Sequence, residues 1–331
     1  MAELIVTMGD PAGVGPEVTL RALAAAADRE MMIVVGEADW LRETADQIGG
    51  AVAGLQFREG DPAAESGGAG LEPGVVRVFN PLKYRLSRLE RGRDWAEFGD
   101  ASFKYVVSGV AEVMKKPGRA LVTAPISKHA WHLAGHDYPG HTELIRDLSG
   151  STGVGMMFWG DSLKVLLVTT HLPLARVPAA ISPELVTAKL RLLHEFMRRA
   201  GLDGDIGLAA LNPHAGENGA FGDEEARILE PAVAQLRAGG LPVIGPLPAD
   251  TLFYQARQGR FAVVAALYHD QGLGPFKMLH FHDGVNLSIG LPFIRTSADH
   301  GTAFDISTKF IADSQSMEKA LSLAHKLSRE Y

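Results

Sequence analysis

The sequence predicts an α/β protein built on a largely parallel sheet, and two observations carry that expectation. Short apolar runs alternate with helical segments almost throughout, as strands buried on both faces by helices do. Three of those runs also end just before a histidine. Residues 165–170 precede His171, residues 207–213 precede His214, and residues 263–268 precede His269. Ligands of open α/β sheets bind beyond the carboxyl ends of the strands, so three histidines in the same relative place point to a common site.

The elements follow in order. Residues 4–8 read as a first strand, and Pro16 suits the first position of a helix through Leu20, Leu23 and Ala27, where its missing N–H is not needed. Residues 31–35 and 75–79 read as the second and third strands. Between them 59–74, rich in Gly, Ala and Pro, reads as an exposed loop. Residues 101–115 have a helical pattern, and 120–123 a strand ending at Ala124-Pro125. Ser182 is a candidate N-cap for a helix through Leu190, Leu193 and Phe196. Ser316 is the expected start of a last helix with Met317, Ala320, Leu321, Ala324 and Leu327 on one face.

Composition narrows the function classes. The 331 residues exceed one small core and imply about two domains. A net charge of −7 with no basic stripe argues against nucleic acid and anionic membranes as partners. The absence of cysteine excludes disulfides, thiolate metal sites and a cysteine nucleophile, leaving His, Asp and Glu as metal ligands. No apolar run approaches the roughly 20 residues that span a bilayer, and the first residues lack a basic leader. The expectation is a cytoplasmic protein.

Loops after the strands carry the candidate chemistry. Gly9-Asp10-Pro11-Ala12-Gly13-Val14-Gly15-Pro16-Glu17 is neither a Walker A loop nor a Gly-x-Gly-x-x-Gly fingerprint. Its glycines serve either an anion at a helix N-terminus or a tight strand-to-helix turn. In Gly140-His141-Thr142-Glu143, Thr142 is either a helix cap or, with His141, a ligand for a polar substrate. Three imidazoles with an open position suit Zn, Co or Ni, and also Mg or Mn if substrate oxygens complete the shell. The stretch 269–305 is densest. Lys277, Asn286 and Arg295 flank apolar sequence there, either as solvated surface groups or as the wall of a phosphate or carboxylate pocket.

These motifs, with Asn212-Pro213-His214-Ala215-Gly216-Glu217, Pro248-Ala249-Asp250-Thr251, Tyr268-His269-Asp270-Gln271-Gly272 and Asp299-His300-Gly301-Thr302-Ala303, resemble the 4-hydroxythreonine-4-phosphate dehydrogenase family of vitamin B6 biosynthesis. The resemblance runs in order from near residue 5 to near residue 313. It implies a two-domain fold like the isocitrate and isopropylmalate dehydrogenases, with an active-site cleft between the domains. Residues 1–125 plus 285–331 would form the first domain and 126–284 the second. It implies a homodimer with the active site at the subunit interface, and a small phosphorylated substrate.

By the same resemblance, His171, His214 and His269 would hold one divalent metal (Zn, Co or Mg), the third histidine coming across the dimer interface. Substrate contacts would be His141, Thr142, Lys277, Asn286 and Arg295, and Asp250 matches an acidic residue near the reacting centre; the chemistry needs a base, for which Asp250 and Lys128 are both candidates. His300, Gly301, Thr302 and Asp305 would belong to a loop for NAD (or NADP), which explains the missing Rossmann fingerprint. After that loop Ile306-Ser307-Thr308-Lys309-Phe310 is bulkier and more polar than the small, Gly-containing segment the resemblance leads one to expect. The implied reaction is oxidation and decarboxylation of 4-phosphooxy-L-threonine to 3-amino-2-oxopropyl phosphate. The rival readings are 4-phospho-D-erythronate, 4-phospho-D-threonate or a dihydrodiol carboxylate as substrate, and, in another class, a metal-dependent hydrolase.

Overall fold

A computed structural model describes residues 3–60 and 74–330. The chain opens with β1 (Leu4–Thr7), α1 (Gly15–Ala25), β2 (Met32–Val35), α2 (Ala38–Ile48), the single turn α3 (Gly50–Ala53), β3 (Gln56–Glu59) and β4 (Val75–Phe79). It continues through α4 (Ala96–Met114), β5 (Ala120–Thr123), α5 (Lys128–Leu133), α6 (His141–Ser149), β6 (Gly155–Trp159) and β7 (Lys164–Leu167). Next come α7 (Val177–Ala180), α8 (Pro183–Arg199), β8 (Ile206–Ala209), α9 (Glu230–Ala238), β9 (Val243–Leu247) and α10 (Ala249–Arg257). The last elements are β10 (Val263–Ala266), α11 (His269–Leu279), β11 (Val285–Ile289), β12 (Ile294–Ala298) and α12 (Gln315–Ser328).

The chain divides into two compact units. The first takes in the residues up to Thr152 together with Leu291–Arg329, and the second Gly153–Gly290. The first break thus falls at 152 and not at the expected 125. The reason is packing: α5 and α6 lie against α4, so 126–152 stays with the first unit. Gly99 on α4 lets the chains meet, since a Cβ there would stand 2.0 Å from the carbonyl oxygen of Ala130.

In the first unit the strands run β3-β4-β2-β1-β5-β12, every pair parallel. Its central strand β1 is fully buried, as an apolar run without alternation requires. In the second unit the order is β11-β6-β7-β10-β8-β9. Here β7, β10, β8 and β9 are parallel, while β6 is antiparallel to both neighbours. The hairpin between β6 and β7 turns through Gly160, whose N–H donates to the Leu163 carbonyl at 2.9 Å. Gly160-Asp161-Ser162 is a turn signal that the alternation of strands and helices concealed.

Several expectations need correction at their ends. The last helix starts at Gln315, and Ser316 lies buried inside its first turn, where its Oγ accepts from the Asp299 N–H at 2.9 Å. Thr142 is not a cap either, because α6 already begins at His141 after Gly140. Ser182 does cap α8, its side chain accepting from the Leu185 N–H at 3.2 Å. The expected loop 59–74 lies almost entirely outside the described residues, and Glu59 closes strand β3.

Candidate functional site

The three histidine-bearing strands are neighbours. β7, β10 and β8 lie side by side and parallel, with Leu167 level with Ala266 and Ala265 level with Leu208. Their carboxyl ends therefore share one edge of the second unit. Two polar side chains tie that edge together. Thr169 Oγ1 donates to the Leu267 carbonyl at 2.6 Å, linking the end of β7 to that of β10. Gln271 accepts from the Leu267 N–H and donates to the Ala210 carbonyl, both at 2.7 Å, linking β10 to β8.

His171 and His269 meet on this edge with ring centroids 5.7 Å apart. An imidazole centroid stands roughly 3.2 Å from a metal it ligates, so two ligating rings are separated by about 5–6 Å. The pair therefore fits two positions of a metal shell. His269 Nδ1 lies 2.7 Å from Asp270 Oδ1, an arrangement that orients the ring and leaves Nε2 for coordination.

His214 sits in a turn of unusual backbone. His214, Ala215, Glu217 and Asn218 all have positive φ, at 52°, 54°, 44° and 53°. Such conformations cost side-chain-bearing residues about 1–2 kcal/mol each and concentrate at functional sites. The turn is held by Glu225, which is 3% exposed and accepts from the N–H groups of Leu211 and Asn212, each at 2.8 Å. Asn212 Nδ2 also donates to Glu225 at 2.9 Å and to Glu224 at 2.7 Å. Among the described residues no group of three or more His, Asp and Glu side chains is gathered as a metal cage. The single chain brings two imidazoles together and leaves the third apart.

The other candidates of the second unit lie on three separate elements. Asp250 is exposed in the first turn of α10. Lys277 lies in the last turn of α11, its Nζ 5.8 Å from the centre of the Phe281 ring. Asn286, on β11, has a buried Oδ1 with no hydrogen-bond partner.

The first unit gathers Lys128, His141, Thr142 and Arg295. Arg295 projects from β12, is 2% exposed, and donates from Nη2 to Thr123 Oγ1 at 2.6 Å. Burial lowers its guanidinium pKa to about 10, a shift that Glu143 opposes. Beside it, burial and then the positive charges of Arg295 and Lys128 hold the His141 pKa well below 6.5. His141 is therefore a neutral imidazole at neutral pH, and its buried Nε2 has no partner. The indole of Trp131 meets that ring edge-on at 5.7 Å and is itself fixed by donating to Ser102 Oγ at 2.9 Å. Lys128 opens α5, and both its Nζ and Glu143 Oε2 lie 3.7 Å from where a Cβ on Gly140 would stand.

The cofactor-loop candidates His300, Gly301, Thr302 and Asp305 lie in one irregular segment before α12. That segment is bolted to the glycine-rich first loop. The Val14 N–H donates to the Thr302 carbonyl at 2.9 Å, and a Cβ on Gly13 would come within 2.9 Å of Thr302. Glu17 Oε1 accepts from the Ala312 N–H at 3.0 Å, and Arg21, paired with Glu17, donates to the Phe310 carbonyl at 2.7 Å. The N–H groups of Ala12, Gly13 and Val14 are all used inside the protein, so these three donors serve tight packing and not an anion.

Asp10 had no assigned role in the sequence, although its motif stood out. It is fully buried, accepts from the Ala12 N–H at 2.8 Å, and faces the Ser127 N–H. Burial is the main cause that raises its carboxyl pKa to about 7, and nearby Asp94 adds to it. Ser127 in turn donates to Asp94 and caps α5, so both carboxyls converge on the turn that carries Lys128. A raised carboxyl pKa means that the unfolded chain ionises first, so stability falls as pH rises through the interval up to about 7. Asp10→Asn is expected to match the parent at pH 4 and to exceed it by about 2–4 kcal/mol at pH 8. Melting curves at the two pH values check this; equal melting temperatures at pH 8 would contradict the buried, uncompensated charge.

Comparison with known proteins places the chain. Residues 28–324 match the family described as Pyridoxal phosphate biosynthetic protein PdxA. The chain is 42% identical over 325 residues to D-threonate 4-phosphate dehydrogenase of Salmonella typhimurium, covering 98% of each protein. It is 44% identical over 327 residues to 4-hydroxythreonine-4-phosphate dehydrogenase of Beijerinckia indica, covering 98% of this chain and 94% of that one. A crystal structure of 4-hydroxythreonine-4-phosphate dehydrogenase from Klebsiella pneumoniae superposes with a TM-score of 0.87 at 42% identity, over 99% of this chain and 98% of the other. With that family match, and with relatives above 40% identity along nearly its whole length, the chain is an oxidoreductase acting on a CH–OH group and belongs to the PdxA family.

Proposed function

We propose that the chain oxidises the secondary alcohol at C3 of a 4-phosphorylated four-carbon acid, with NAD (or NADP) accepting the hydride. The observation that carries this reading is the buried Arg295 beside neutral His141. A desolvated guanidinium with an unfilled imidazole nitrogen next to it suits an anionic, oxygen-rich substrate. Arg295, Lys277 and Asn286 are assigned the phosphate, and His141 and Thr142 the polar groups near the reacting carbon.

Lys128, which stands beside His141, and Asp250 are the residues assigned to take the hydroxyl proton. Oxidation at C3 leaves a carbonyl β to the carboxylate, from which carbon dioxide departs. His171, His214 and His269 are assigned a divalent metal (Zn, Co or Mg). Such an ion supplies Lewis-acid polarisation of the substrate oxygens. The loop residues His300, Gly301, Thr302 and Asp305 are assigned the dinucleotide.

The first substrate to expect is 4-phosphooxy-L-threonine, which would yield 3-amino-2-oxopropyl phosphate. A second reading, D-threonate 4-phosphate, is favoured by the Salmonella relative of that name, which matches along 98% of both chains. The two differ at C2, as an amine against a hydroxyl. Purified, metal-repleted protein given each compound with NAD should form NADH with one at least about tenfold faster than with the other. NADH from neither would overturn the reading.

A homodimer belongs to the same proposal. The second unit exposes Leu174 (68%), Tyr254 (66%), Met278 (80%) and Phe281 (68%), large apolar side chains that a second copy of the chain would cover. Light scattering on the eluting protein should give twice the 35.4 kDa chain mass, whereas a strict monomer at micromolar concentration would contradict it.

A further inference from the structure

His214 is exposed, yet the backbone that carries it is anchored on a buried carboxylate. Five successive residues, 214–218, lie in the left-handed region, with Gly216 at φ 81° in the middle. Single residues visit that region, but a run of five does not persist on its own. Each residue with a side chain there sets its Cβ too close to the following carbonyl oxygen. Contacts from outside the run must over-determine it.

Glu225 makes those contacts. It opens a π-helical turn, Glu225–Leu229, that runs directly into α9, and such turns are rare and frequent at functional sites. Its two oxygens grip the segment at two points. Oε1 accepts from the N–H groups of Leu211 and Asn212, just before the run, each at 2.8 Å. Oε2 accepts from the Asn212 side-chain amide at 2.9 Å and packs against the centre of the run, because a Cβ on Gly216 would stand 2.9 Å from it. No Lys or Arg pairs with Glu225 among the described residues, so N–H donors meet its charge instead. A glutamine could not replace it, since its one acceptor oxygen would leave an NH2 group facing the NH2 of Asn212. Eleven positions separate His214 from Glu225, and no motif of the sequence links them.

We propose that Glu225 is a positioning residue for metal binding: it holds the left-handed run that presents the His214 imidazole, and so rests on the assignment of His214 as a ligand. With Glu225 in place the run is ordered before the ion arrives; without it, part of the binding free energy goes into ordering the run. Cobalt(II) titration of the metal-free protein, read by visible absorption, tests this through a double-mutant cycle. His214→Ala should weaken cobalt about 10²-fold, and Glu225→Gln about tenfold. Both should shift the cobalt bands in the same direction, as the loss of one nitrogen ligand requires. In the His214→Ala background, Glu225→Gln should cost nothing further, because the ring it positions is gone. A merely structural role would cost the same in both backgrounds. Asn212→Ala, which removes the amide shared by Glu224 and Glu225, takes the place of Glu225→Gln if that variant does not fold. Parent-like cobalt affinity in the folded variant, or a loss undiminished by His214→Ala, overturns the proposal. Parent-like affinity in His214→Ala itself overturns the metal assignment and this proposal with it.

Discussion

Replacing Arg295 by methionine is expected to lower kcat/KM about 10²–10³-fold while leaving the fold at least as stable. Arg295 is 2% exposed, and Glu143 is the acidic group that opposes the depression of its pKa. Taking a guanidinium out of water costs several kcal/mol, so an apolar side chain of similar length should be tolerated or favoured by the folded chain. On the proposed reading, the same change removes a charge-assisted partner from the substrate. Steady-state kinetics with a thermal melt separate the two effects. A structural residue would lower the melting temperature and leave KM alone; a substrate ligand should do the reverse. Normal kcat/KM in a stable Arg295→Met protein would remove Arg295 from the site.

His171→Ala and His269→Ala are each expected to cut bound divalent metal by about 10²-fold or more in affinity, and a strong chelator should abolish NADH formation. The two rings are already 5.7 Å apart, so each variant deletes one of two imidazoles that the fold brings together. Asp270→Asn should have a smaller effect, about tenfold, because it only orients His269. Metal content after dialysis against zinc, measured by atomic absorption, reads this without any turnover. Zinc bound at full stoichiometry in both alanine variants would refute the assignment. His214→Ala extends the test. Loss of metal there would show that His214 completes the shell, whether within one chain or across the dimer interface.

Much of the fold was legible in the order of residues. β4 at Val75–Phe79 and β5 at Ala120–Thr123 match the expected strands residue for residue; for β5 the reason is that a fully buried parallel strand has no polar alternation to blur its ends, whereas β4 carries Arg77 at its centre and half-buried ends. Ser182 was legible as a cap because its hydroxyl bonds to the N–H three residues on, a purely local contact. Ser316 and Thr142 misled for the complementary reason. The Ser316 hydroxyl serves Asp299, and His141 begins α6 before Thr142 is reached. Nothing in the neighbouring sequence announces either fact. Asp10 was visible within its motif but silent about its role, since a carboxyl pKa near 7 depends on the burial that the whole unit imposes.

The sequence by itself determined the class of fold, the family, and which side chains can bear chemistry. These depend on local periodicity and on residue types, which need no third dimension. Only the tertiary structure decided which of those side chains meet. It set β7, β10 and β8 side by side, joined His171 to His269, and left His214 in a turn of its own. It also buried Arg295 next to His141 and bolted the 302–312 segment to Gly13 and Glu17. Such meetings join residues far apart in the chain, 172 positions in the case of Thr123 and Arg295. Burial then sets the charge state of each group, because the cost of desolvating a charge belongs to its surroundings and not to the residue.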